Sequence, residues 1–423
     1  MGTRLWGRAL PRATRHTGIS NLFSSLGAVG KTQKPSEAGR GPMAEAKESA
    51  SPFRLLFAGV GVFPTAVSRT CHSLEGHPQI HYSKTVEWRH KNGVIAADDE
   101  NSAEILVVGL QVDCLAQDEI RERIHEYDMC VCRMERFDRD ILSRATRLKL
   151  ITQFGMGLEG VDVEAATEMG IKVARIPSAG SGNALSCAEH TIYLILSFFR
   201  NQKAMIKSIQ DAKIGEPEGR TLFGCTVLLV GFGSIGQELA PRLKPFGVRI
   251  LAVRPSWNQK YSSSSDNLKE VGEFQMSNGT SKKDDIVDER GGTEHLHEFL
   301  SRSDIVVLCC PQTPKTKGMV NEAFLSSMKQ GALLVNVARG GLMEYEAVTS
   351  ALESGKLGGL ATDVTWVEPI DPKDPIINHP NVIITPHIAG VTEFSYTTMG
   401  QIVAMAAIQL YEGREITDLE FVN

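Results

Sequence analysis

From residue 53 onward, short apolar runs alternate along the chain with polar, helix-like segments. Runs typical of buried strands cover 53–60, 104–110, 129–131, 148–154 and 171–173. A short helix is predicted at 163–169, and the apolar stretch 189–200 has the length of a buried helix rather than of a membrane span. Short strands that alternate with helices predict an α/β domain with a parallel sheet.

A second series of the same kind starts near residue 201. Its expected strands cover 226–230, 248–253, 304–309, 332–337, 359–364 and 382–384. Helices are predicted at 234–243 and at 391–413. The polar segment 256–295, which contains SSSSD, SNGT and SKKDD, interrupts this rhythm. It is expected to be a solvent-exposed insertion, because it offers little that a core could bury.

A glycine-rich turn, GFGSIG, lies between the strand at 226–230 and the helix at 234–243. In this setting Gly231 permits the tight turn, Gly233 lets backbone approach a pyrophosphate, and Gly236 permits close helix packing. The helix start, at Ser234 and Ile235, favours phosphate binding. The turn therefore predicts a site for a nicotinamide dinucleotide.

The end of the next strand indicates which dinucleotide binds. A turn that binds NAD usually has an acidic residue there to hold the ribose hydroxyls. Here Arg254 follows Gly236 by 18 residues, and Ser256 lies close to it. An arginine and a serine could bind a 2′-phosphate, which a carboxylate would repel. NADP is therefore the expected cofactor, and NAD remains the alternative.

Three residues in the last quarter of the chain supply acid–base chemistry and anion binding: Arg339 in NVARGG, Glu368 in WVEP and His387 in TPHIAG. An arginine can hold a carboxylate through two parallel hydrogen bonds. A histidine can deliver a proton near neutral pH, and a glutamate beside it favours the charged imidazole. With a hydride-supplying dinucleotide, these groups suffice to reduce a 2-oxo acid.

Composition and charge are those of a globular protein with two or three domains. The 423 residues are 42% hydrophobic and 22% charged, and the net charge is -5. Residues 1–50 hold eight Lys/Arg and three Asp/Glu, so the remainder carries about -10. This acidic body argues against general nucleic-acid binding. The eight cysteines form no CxxC pair, so no metal site is expected.

The amino-terminal segment 1–50 is predicted to be a transit peptide or a disordered leader. Arg4, Arg8, Arg12 and Arg15 recur at helical spacing, and the first acidic residue is Glu37. Such a pattern is typical of import into an organelle, either the mitochondrion or the plastid. A second start at Met43 would give a cytosolic form that keeps the globular region.

With these motifs in order, the chain resembles the D-isomer-specific 2-hydroxyacid dehydrogenases over about residues 53 to 415. The segments that carry the resemblance are FGMGLEGVD, NALSCAEH, VGFGSIG, DIVVLCCPQTPKT, LLVNVARGG, ATDV, VEP and ITPHIAG. It implies two hinged Rossmann-like domains with parallel sheets. The substrate domain would comprise 51–200, completed by 389–423, and the cofactor domain 201–388 would be inserted into it. The active site would lie in the cleft between them, and a homodimer is expected.

The resemblance also implies roles for individual residues. Arg339 would bind the substrate carboxylate, His387 would donate the proton, and Glu368 would pair with His387. Backbone amides of Gly155, Met156 and Gly157 would hold the carboxylate from the other domain. Asp363 would meet the nicotinamide amide. The remaining cofactor contacts are expected along the cleft, at Pro311, Thr316, Ala338 and Gly390.

The subclass is less determined than the family. An arginine at the ribose position and the two-domain form most resemble glyoxylate/hydroxypyruvate reductases, which make a D-2-hydroxy acid. Glu368 argues against formate oxidation, since formate dehydrogenases of this family have glutamine there. A phosphoglycerate dehydrogenase-like enzyme and a dinucleotide-sensing corepressor-like binding protein remain alternatives, although the first often carries a regulatory carboxyl domain that this chain is expected to lack. The sequence does not name the 2-oxo acid.

Overall fold

A computed structural model describes residues 53–58, 64–74, 89–91, 94–96, 110–178, 180–258 and 286–423. The strands, in chain order, are β1 (Phe53–Ala58), β2 (Arg89–Lys91), β3 (Val94–Ala96), β4 (Leu110–Leu115), β5 (Met129–Cys132), β6 (Leu150–Gln153), β7 (Lys172–Arg175), β8 (Thr226–Val230), β9 (Arg249–Val253), β10 (Glu289–Gly291), β11 (Ile305–Leu308), β12 (Ala332–Asn336), β13 (Leu357–Thr362), β14 (Val382–Ile384) and β15 (Glu420–Phe421).

The α-helices, in chain order, are α1 (Pro64–Leu74), α2 (Gln117–Arg123), α3 (Arg139–Arg144), α4 (Val163–Glu168), α5 (Asn183–Phe199), α6 (Gln202–Gln210), α7 (Ser234–Leu243), α8 (Leu296–Arg302), α9 (Glu322–Ser327), α10 (Tyr345–Glu353) and α11 (Glu393–Tyr411). None of these helices combines the length and the apolar composition that a membrane crossing requires.

The first sheet has the strand order β15-β7-β6-β5-β1-β4, and β15 is its antiparallel member. The last long helix, α11, returns to this sheet, because Tyr396, Met399 and Val403 share a core with Leu55 and Val131. Both ends of the described chain therefore contribute to one α/β layer.

The second sheet is parallel throughout, in the order β10-β9-β8-β11-β12-β13-β14. Its central strands, from β9 to β13 in this order, are buried on both faces, as expected for a parallel sheet covered by helices. Helix α5 belongs to this layer by packing, because its Leu194 and Phe199 lie in the same core as Val227 and Leu229. Helix α5 thus packs with the second layer, although the domain boundary predicted near residue 200 assigned it to the first domain.

The α/β class with two mainly parallel sheets is confirmed, and the differences from the expected elements have physical causes. The strand expected at 104–110 lies outside the described residues except for Leu110, where β4 begins. Strand β4 continues to Leu115. The part after residue 110 was not predicted because it contains Asp113, whose charge is paired with Arg54 at 2.8 Å. Helix α5 starts at Asn183 rather than at 189, and the hydroxyl of Ser186 donates to the Gly182 carbonyl at 2.8 Å.

The segment 256–295 is not wholly an insertion. Its end forms β10, which pairs with β9 at the edge of the second sheet. This strand was missed because it is charged, and its Glu289 makes ion pairs with Arg249 and Arg302. Residues 259–285 and the leader 1–50 lie outside the described residues, so the insertion's character and the targeting role stay predictions.

Candidate active site

The glycine turn follows the carboxyl end of β8 and leads directly into α7. Gly231 has a φ of +103°, in the region that favours glycine, and its amide donates to the Val253 carbonyl at 3.0 Å. A Cβ at Gly231 would lie 2.8 Å from the backbone nitrogen of Cys310. The turn therefore needs glycine here because β11 and its following loop pass close by.

The other two glycines of the turn have contrasting surroundings. A Cβ at Gly236 would lie 2.9 Å from the Gly231 carbonyl oxygen, so α7 packs tightly against the turn. A Cβ at Gly233 would meet nothing within 4 Å. Open space at Gly233, beside the first amides of α7 at Ser234 and Ile235, is the arrangement that a pyrophosphate requires.

Arg254 lies just beyond β9, where its amide donates to the Gly291 carbonyl at 3.1 Å. No ion pair joins its guanidinium to a carboxylate within the described residues. Ser256 is exposed in the following 3-10 turn, and Trp257 packs against Phe232 of the glycine turn at 5.5 Å between ring centroids. The positive charge of Arg254 is thus available beside the turn.

Pro311 and Thr316 belong to the loop that follows β11. The Thr316 hydroxyl donates to the Pro311 carbonyl at 2.8 Å, and accepts from the amide of Thr313 at 2.7 Å. The loop is tied to the glycine turn through Cys309, whose thiol donates to the Gly231 carbonyl at 2.9 Å. Pro311 and Thr316 therefore lie along the same edge of the sheet as the glycine turn.

His387 and Glu368 form a direct pair. His387 Nδ1 lies 2.7 Å from Glu368 Oε2, and the other carboxylate oxygen, Oε1, accepts from the Thr365 amide at 3.0 Å. Burial acts to raise the pKa of the Glu368 carboxyl, but the hydrogen bond and charge of His387, the Thr365 amide and the charge of Arg339 outweigh it and lower the pKa. The glutamate is therefore ionised near neutral pH and orients the imidazole.

Asp363, at the end of β13, fixes the loop that carries His387. Its carboxylate accepts from the Thr385 hydroxyl at 2.6 Å and from the amides of Ile388 and Ala389 at 2.9 and 2.7 Å. Its backbone carbonyl accepts from the His387 amide at 2.8 Å. Held in this way, His387 adopts a φ of +55°, which is uncommon for a residue with a side chain. The contact expected between Asp363 and the nicotinamide stays a prediction.

The charge of Asp363 is stabilised by its neighbours. Burial acts to raise the pKa of this carboxyl, but His190, Thr385 and the two loop amides outweigh the effect and lower the pKa. His190 Nε2 lies 2.9 Å from the Thr385 hydroxyl and 3.4 Å from Asp363 Oδ1. His190 therefore supports the His387 loop through Thr385.

Arg339 follows β12, and Ala338 beside it is buried. The loop is held by Asn336, whose side chain donates to the Arg339 carbonyl at 2.8 Å and accepts from the Ala338 amide at 3.0 Å. The guanidinium donates through Nη1 to the Ala338 carbonyl at 2.8 Å and through Nε to Glu159 Oε1 at 2.9 Å. Glu159 belongs to the first sheet's layer, so this ion pair joins the two layers.

Gly155, Met156 and Gly157 follow the carboxyl end of β6, and each is half-buried. Gly155 has a φ of +141°. A Cβ at Gly157 would lie 2.3 Å from Arg339 Nη2, so this turn touches the arginine. Gly390 lies where the chain returns to the first layer, and a Cβ there would meet the Asn183 side chain at 2.3 Å. The structure thus brings the expected carboxylate-binding groups together.

Sequence reasoning missed three residues at this site. Thr385 links His190 to Asp363, and Glu159 pairs with Arg339. Arg133, just after β5, donates to the Tyr396 hydroxyl at 3.1 Å and to the His387 carbonyl at 3.3 Å. Thr385 and Glu159 lie within motifs that were identified, but Arg133 stands in a segment with no motif, and its contact partner is 254 positions away.

Comparison with known proteins identifies this arrangement. The family model "D-isomer specific 2-hydroxyacid dehydrogenase, NAD binding domain" matches residues 192–287 and 273–389. The chain belongs to the D-isomer specific 2-hydroxyacid dehydrogenase family. Its second layer is accordingly a domain for a nicotinamide dinucleotide.

Similar proteins cover most of the described chain. A D-3-phosphoglycerate dehydrogenase of Methanocaldococcus jannaschii is 36% identical over 294 residues, which is 69% of this chain and 51% of that relative. A glyoxylate reductase of Pyrococcus furiosus is 29% identical over 337 residues, 76% of this chain and 90% of the relative. The crystal structure of TT0316 from Thermus thermophilus superposes with a TM-score of 0.64 at 27% identity, covering 87% of this chain and 99% of that one.

The chain spans about half the length of the first phosphoglycerate dehydrogenases that it matches. The dinucleotide suggested by the family fits the residues present. Gly231 has the backbone angle that the turn needs, Gly233 faces open space, and α7 begins at Ser234. These residues would hold the pyrophosphate, and Arg254 would lie near the adenosine ribose.

Proposed function

We propose that this protein is an NAD(P)-dependent reductase that converts a small 2-oxo acid, of the glyoxylate or hydroxypyruvate class, into a D-2-hydroxy acid. The observation that carries the proposal is the pairing of His387 with Glu368 at 2.7 Å, within electrostatic reach of Arg339. A proton donor and an anion-binding group thus share one site beside a dinucleotide-binding turn.

Substrate orientation falls to Arg339 and the turn at Gly157. The guanidinium can bind a carboxylate along its Nε and Nη2 edge, where the two N–H groups donate two parallel hydrogen bonds. Amides of the turn at Gly155 and Gly157 would hold the same group from the first layer. Fixing the substrate by its carboxylate places the carbonyl group and lowers the entropic barrier to reaction.

Proton delivery falls to His387. Because Nδ1 is engaged with Glu368, Nε2 is the nitrogen available to the carbonyl oxygen of a substrate. The protonated imidazole is the form that can donate a proton, and the carboxylate of Glu368 lies against this ring. When bound, the dinucleotide supplies the hydride that reduces the carbonyl carbon. Proton transfer to the oxygen by a positioned side chain is typically worth ~10²–10⁴-fold in rate.

The relatives support two substrate classes. The glyoxylate reductase is matched over 90% of its length, whereas the phosphoglycerate dehydrogenases are matched over about half of theirs. An enzyme acting on 3-phosphohydroxypyruvate is the second candidate, since the 36% identical relative is a D-3-phosphoglycerate dehydrogenase. The basic residue at 254, which resembles the arginine at the ribose position of glyoxylate/hydroxypyruvate reductases, favours the first class.

The decisive experiment measures initial rates with glyoxylate, hydroxypyruvate and 3-phosphohydroxypyruvate, each with NADPH and with NADH. Turnover of the two small acids at least tenfold faster than of the phosphorylated acid supports the proposal. Preference for the phosphorylated acid favours the second candidate. Tight dinucleotide binding without turnover of any acid contradicts both and favours a binding role.

A preference for NADPH is proposed from Arg254 and Ser256. A charged hydrogen bond to a 2′-phosphate contributes about 1.5–3 kcal/mol, so Arg254→Gln should lower kcat/KM for NADPH by about tenfold or more. The value for NADH should change little. Arg242→Gln is the matched control, because Arg242 lies on α7 and is paired with Glu238 at 2.6 Å. Equal losses with both cofactors would show that Arg254 does not bind the phosphate.

A homodimer is also proposed. Every residue of α6 is at least partly exposed, including the apolar side chains of Ile206 and Ile209, which are 57% and 79% exposed. Exposed apolar side chains at this spacing favour a protein interface. Light scattering should give twice the chain mass, and the double variant Ile206→Ser, Ile209→Ser should give the monomer if α6 is buried between subunits.

A further inference from the structure

Arg339, the proposed substrate-binding arginine, already holds a carboxylate. Its Nε donates to Glu159 Oε1 at 2.9 Å, and Glu159 comes from the turn after β6 that would hold the substrate from the other side. No other hydrogen bond or ion pair of the Glu159 side chain occurs within the described residues. The glutamate is therefore free to leave without breaking a second contact.

The position of this carboxylate is defined by Gly157. A Cβ at Gly157 would lie 2.3 Å from Arg339 Nη2 and equally 2.3 Å from Glu159 Oε2. Nη2 and Oε2 therefore both lie against the same glycine, while Oε1 faces Nε. Because Nη1 donates to the Ala338 carbonyl, the Nε and Nη2 edge is the one left to bind a carboxylate through two hydrogen bonds.

We propose that Glu159 is an internal competitor, whose carboxylate holds the substrate-binding edge of Arg339 until the carboxylate of a 2-oxo acid displaces it. This inference rests on the proposed function, because it assumes that Arg339 receives the substrate. Substrate binding then exchanges one ion pair for another, and Glu159 raises the KM that the enzyme would otherwise have.

Two features favour exchange over a permanent structural pair. The Glu159 side chain is 53% exposed and that of Arg339 is 32% exposed, so water can solvate the glutamate once it leaves. The guanidinium also keeps a separate anchor, because Nη1 donates to the Ala338 carbonyl at 2.8 Å. Arg339 can therefore hold its place while its other edge changes partner.

The competition also limits which acids bind well. After it is displaced, the Glu159 carboxylate still belongs to the 155–159 turn and therefore stays near the bound substrate. Additional negative charge on the substrate near this turn would then be disfavoured. Glu159 is in this sense a residue that favours small, singly charged acids over more highly charged ones.

The test compares Glu159→Gln and Glu159→Ala with the wild type, using steady-state rates with glyoxylate at saturating cofactor. An ion pair of this exposure is worth a few-fold in affinity, so both variants should lower KM for glyoxylate about two- to fivefold. Because the chemical step is untouched, kcat and the KM for the dinucleotide should stay within about twofold. Glu164→Gln is the matched control, since it removes an equal charge from exposed α4 nearby and should leave KM unchanged.

Binding of oxamate, a non-reducible analogue of a 2-oxo acid, gives a readout that does not need turnover. Calorimetry on the dinucleotide-loaded protein should show oxamate binding about two- to fivefold tighter to Glu159→Gln than to the wild type. If the wild type binds oxamate but reduces no 2-oxo acid, the proposed function is contradicted. The inference still stands in that case if Glu159→Gln binds oxamate more tightly than the wild type does.

The inference is overturned by three results. A higher KM in both glutamate variants would mean that Glu159 positions Arg339 for the substrate instead of competing. An unchanged KM and unchanged oxamate affinity would mean that the pair is broken at no cost. An equal gain in Glu164→Gln would mean that only the overall charge near the turn matters.

Discussion

Glu368→Gln separates the electrostatic role of the glutamate from its shape. In the protein, Glu368 Oε2 lies 2.7 Å from His387 Nδ1 and Oε1 accepts from the Thr365 amide. Glutamine has nearly the same shape, but it has only one acceptor oxygen and no charge. The substitution therefore removes the negative charge and one of the two hydrogen bonds.

The expected effect follows from the strength of the interaction. The Glu368 carboxylate and the imidazole lie at hydrogen-bond distance, and a hydrogen bond to a charged group contributes about 1.5–3 kcal/mol. The His387 and Glu368 side chains are 34% and 20% exposed, so solvent screening brings the effect to the lower end, about 1.5 kcal/mol. A loss of this size corresponds to about tenfold in rate.

The assay is kcat/KM for glyoxylate reduction as a function of pH, with the Asp371→Asn variant as a control on the same loop. Reduction needs a protonated donor, so activity falls as pH rises. In Glu368→Gln, kcat/KM near neutral pH should drop about tenfold. Asp371 is exposed, and an asparagine there can still accept from the Lys373 amide, so its profile should match the wild type.

An unchanged kcat/KM in Glu368→Gln would refute this reasoning, because the charge and the lost hydrogen bond would then contribute nothing to the reaction.

The same pair has a consequence for stability. Because the pKa of Glu368 is lowered in the folded protein, its contribution is present above the ordinary carboxyl value of 4.5 and is lost as pH falls through the lower folded value. Acid unfolding of Glu368→Gln should lack this component.

Four further substitutions test the site. His387→Ala should lower kcat by about 10²–10⁴-fold while dinucleotide binding, followed by fluorescence titration, persists; full activity would exclude it as the donor. Gly231→Ala should lower Tm, at a cost of about 1–3 kcal/mol for its φ of +103°, whereas Gly233→Ala should keep Tm and weaken dinucleotide binding. Equal effects of the two alanines would contradict the difference between their surroundings. Asp363→Asn leaves a buried donor without an acceptor, so it should cost about 1–3 kcal/mol and increase amide exchange at Ala389; unchanged exchange would contradict its role.

The sequence predicted the fold where apolar runs were long and glycine marked the turn. Strands β8 and β14 and helix α7 have the expected bounds, because their apolar periodicity ends at unambiguous breakers. Strand β10 was missed, since pairing at a sheet edge can accommodate charged side chains whose partners lie elsewhere in the sequence.

For the site, sequence order could indicate the residue types but not which contacts they make. Arg339, Glu368 and His387 were identified from local motifs, and the 2.7 Å contact between the last two agrees with their expected pairing. The pairing of Arg339 with Glu159 spans 180 positions, and the contact of Arg133 with the His387 carbonyl spans 254. Such contacts depend on how the two layers face each other, which no local pattern encodes.

The two passages of the chain between the layers are fastened to each other. The Asn183 side chain lies so close to the Gly390 backbone that a Cβ at Gly390 would meet its amide group, and the Ser186 and Thr392 hydroxyls lie 2.8 Å apart. A rotation of one layer against the other would pivot at this junction. His387, three residues from Gly390, would stay nearly still, whereas Arg339 and Glu159, joined only by an ion pair, would separate. The proton donor thus lies near the pivot of such a rotation, whereas Arg339 and the turn that carries Glu159 lie on parts that move relative to each other.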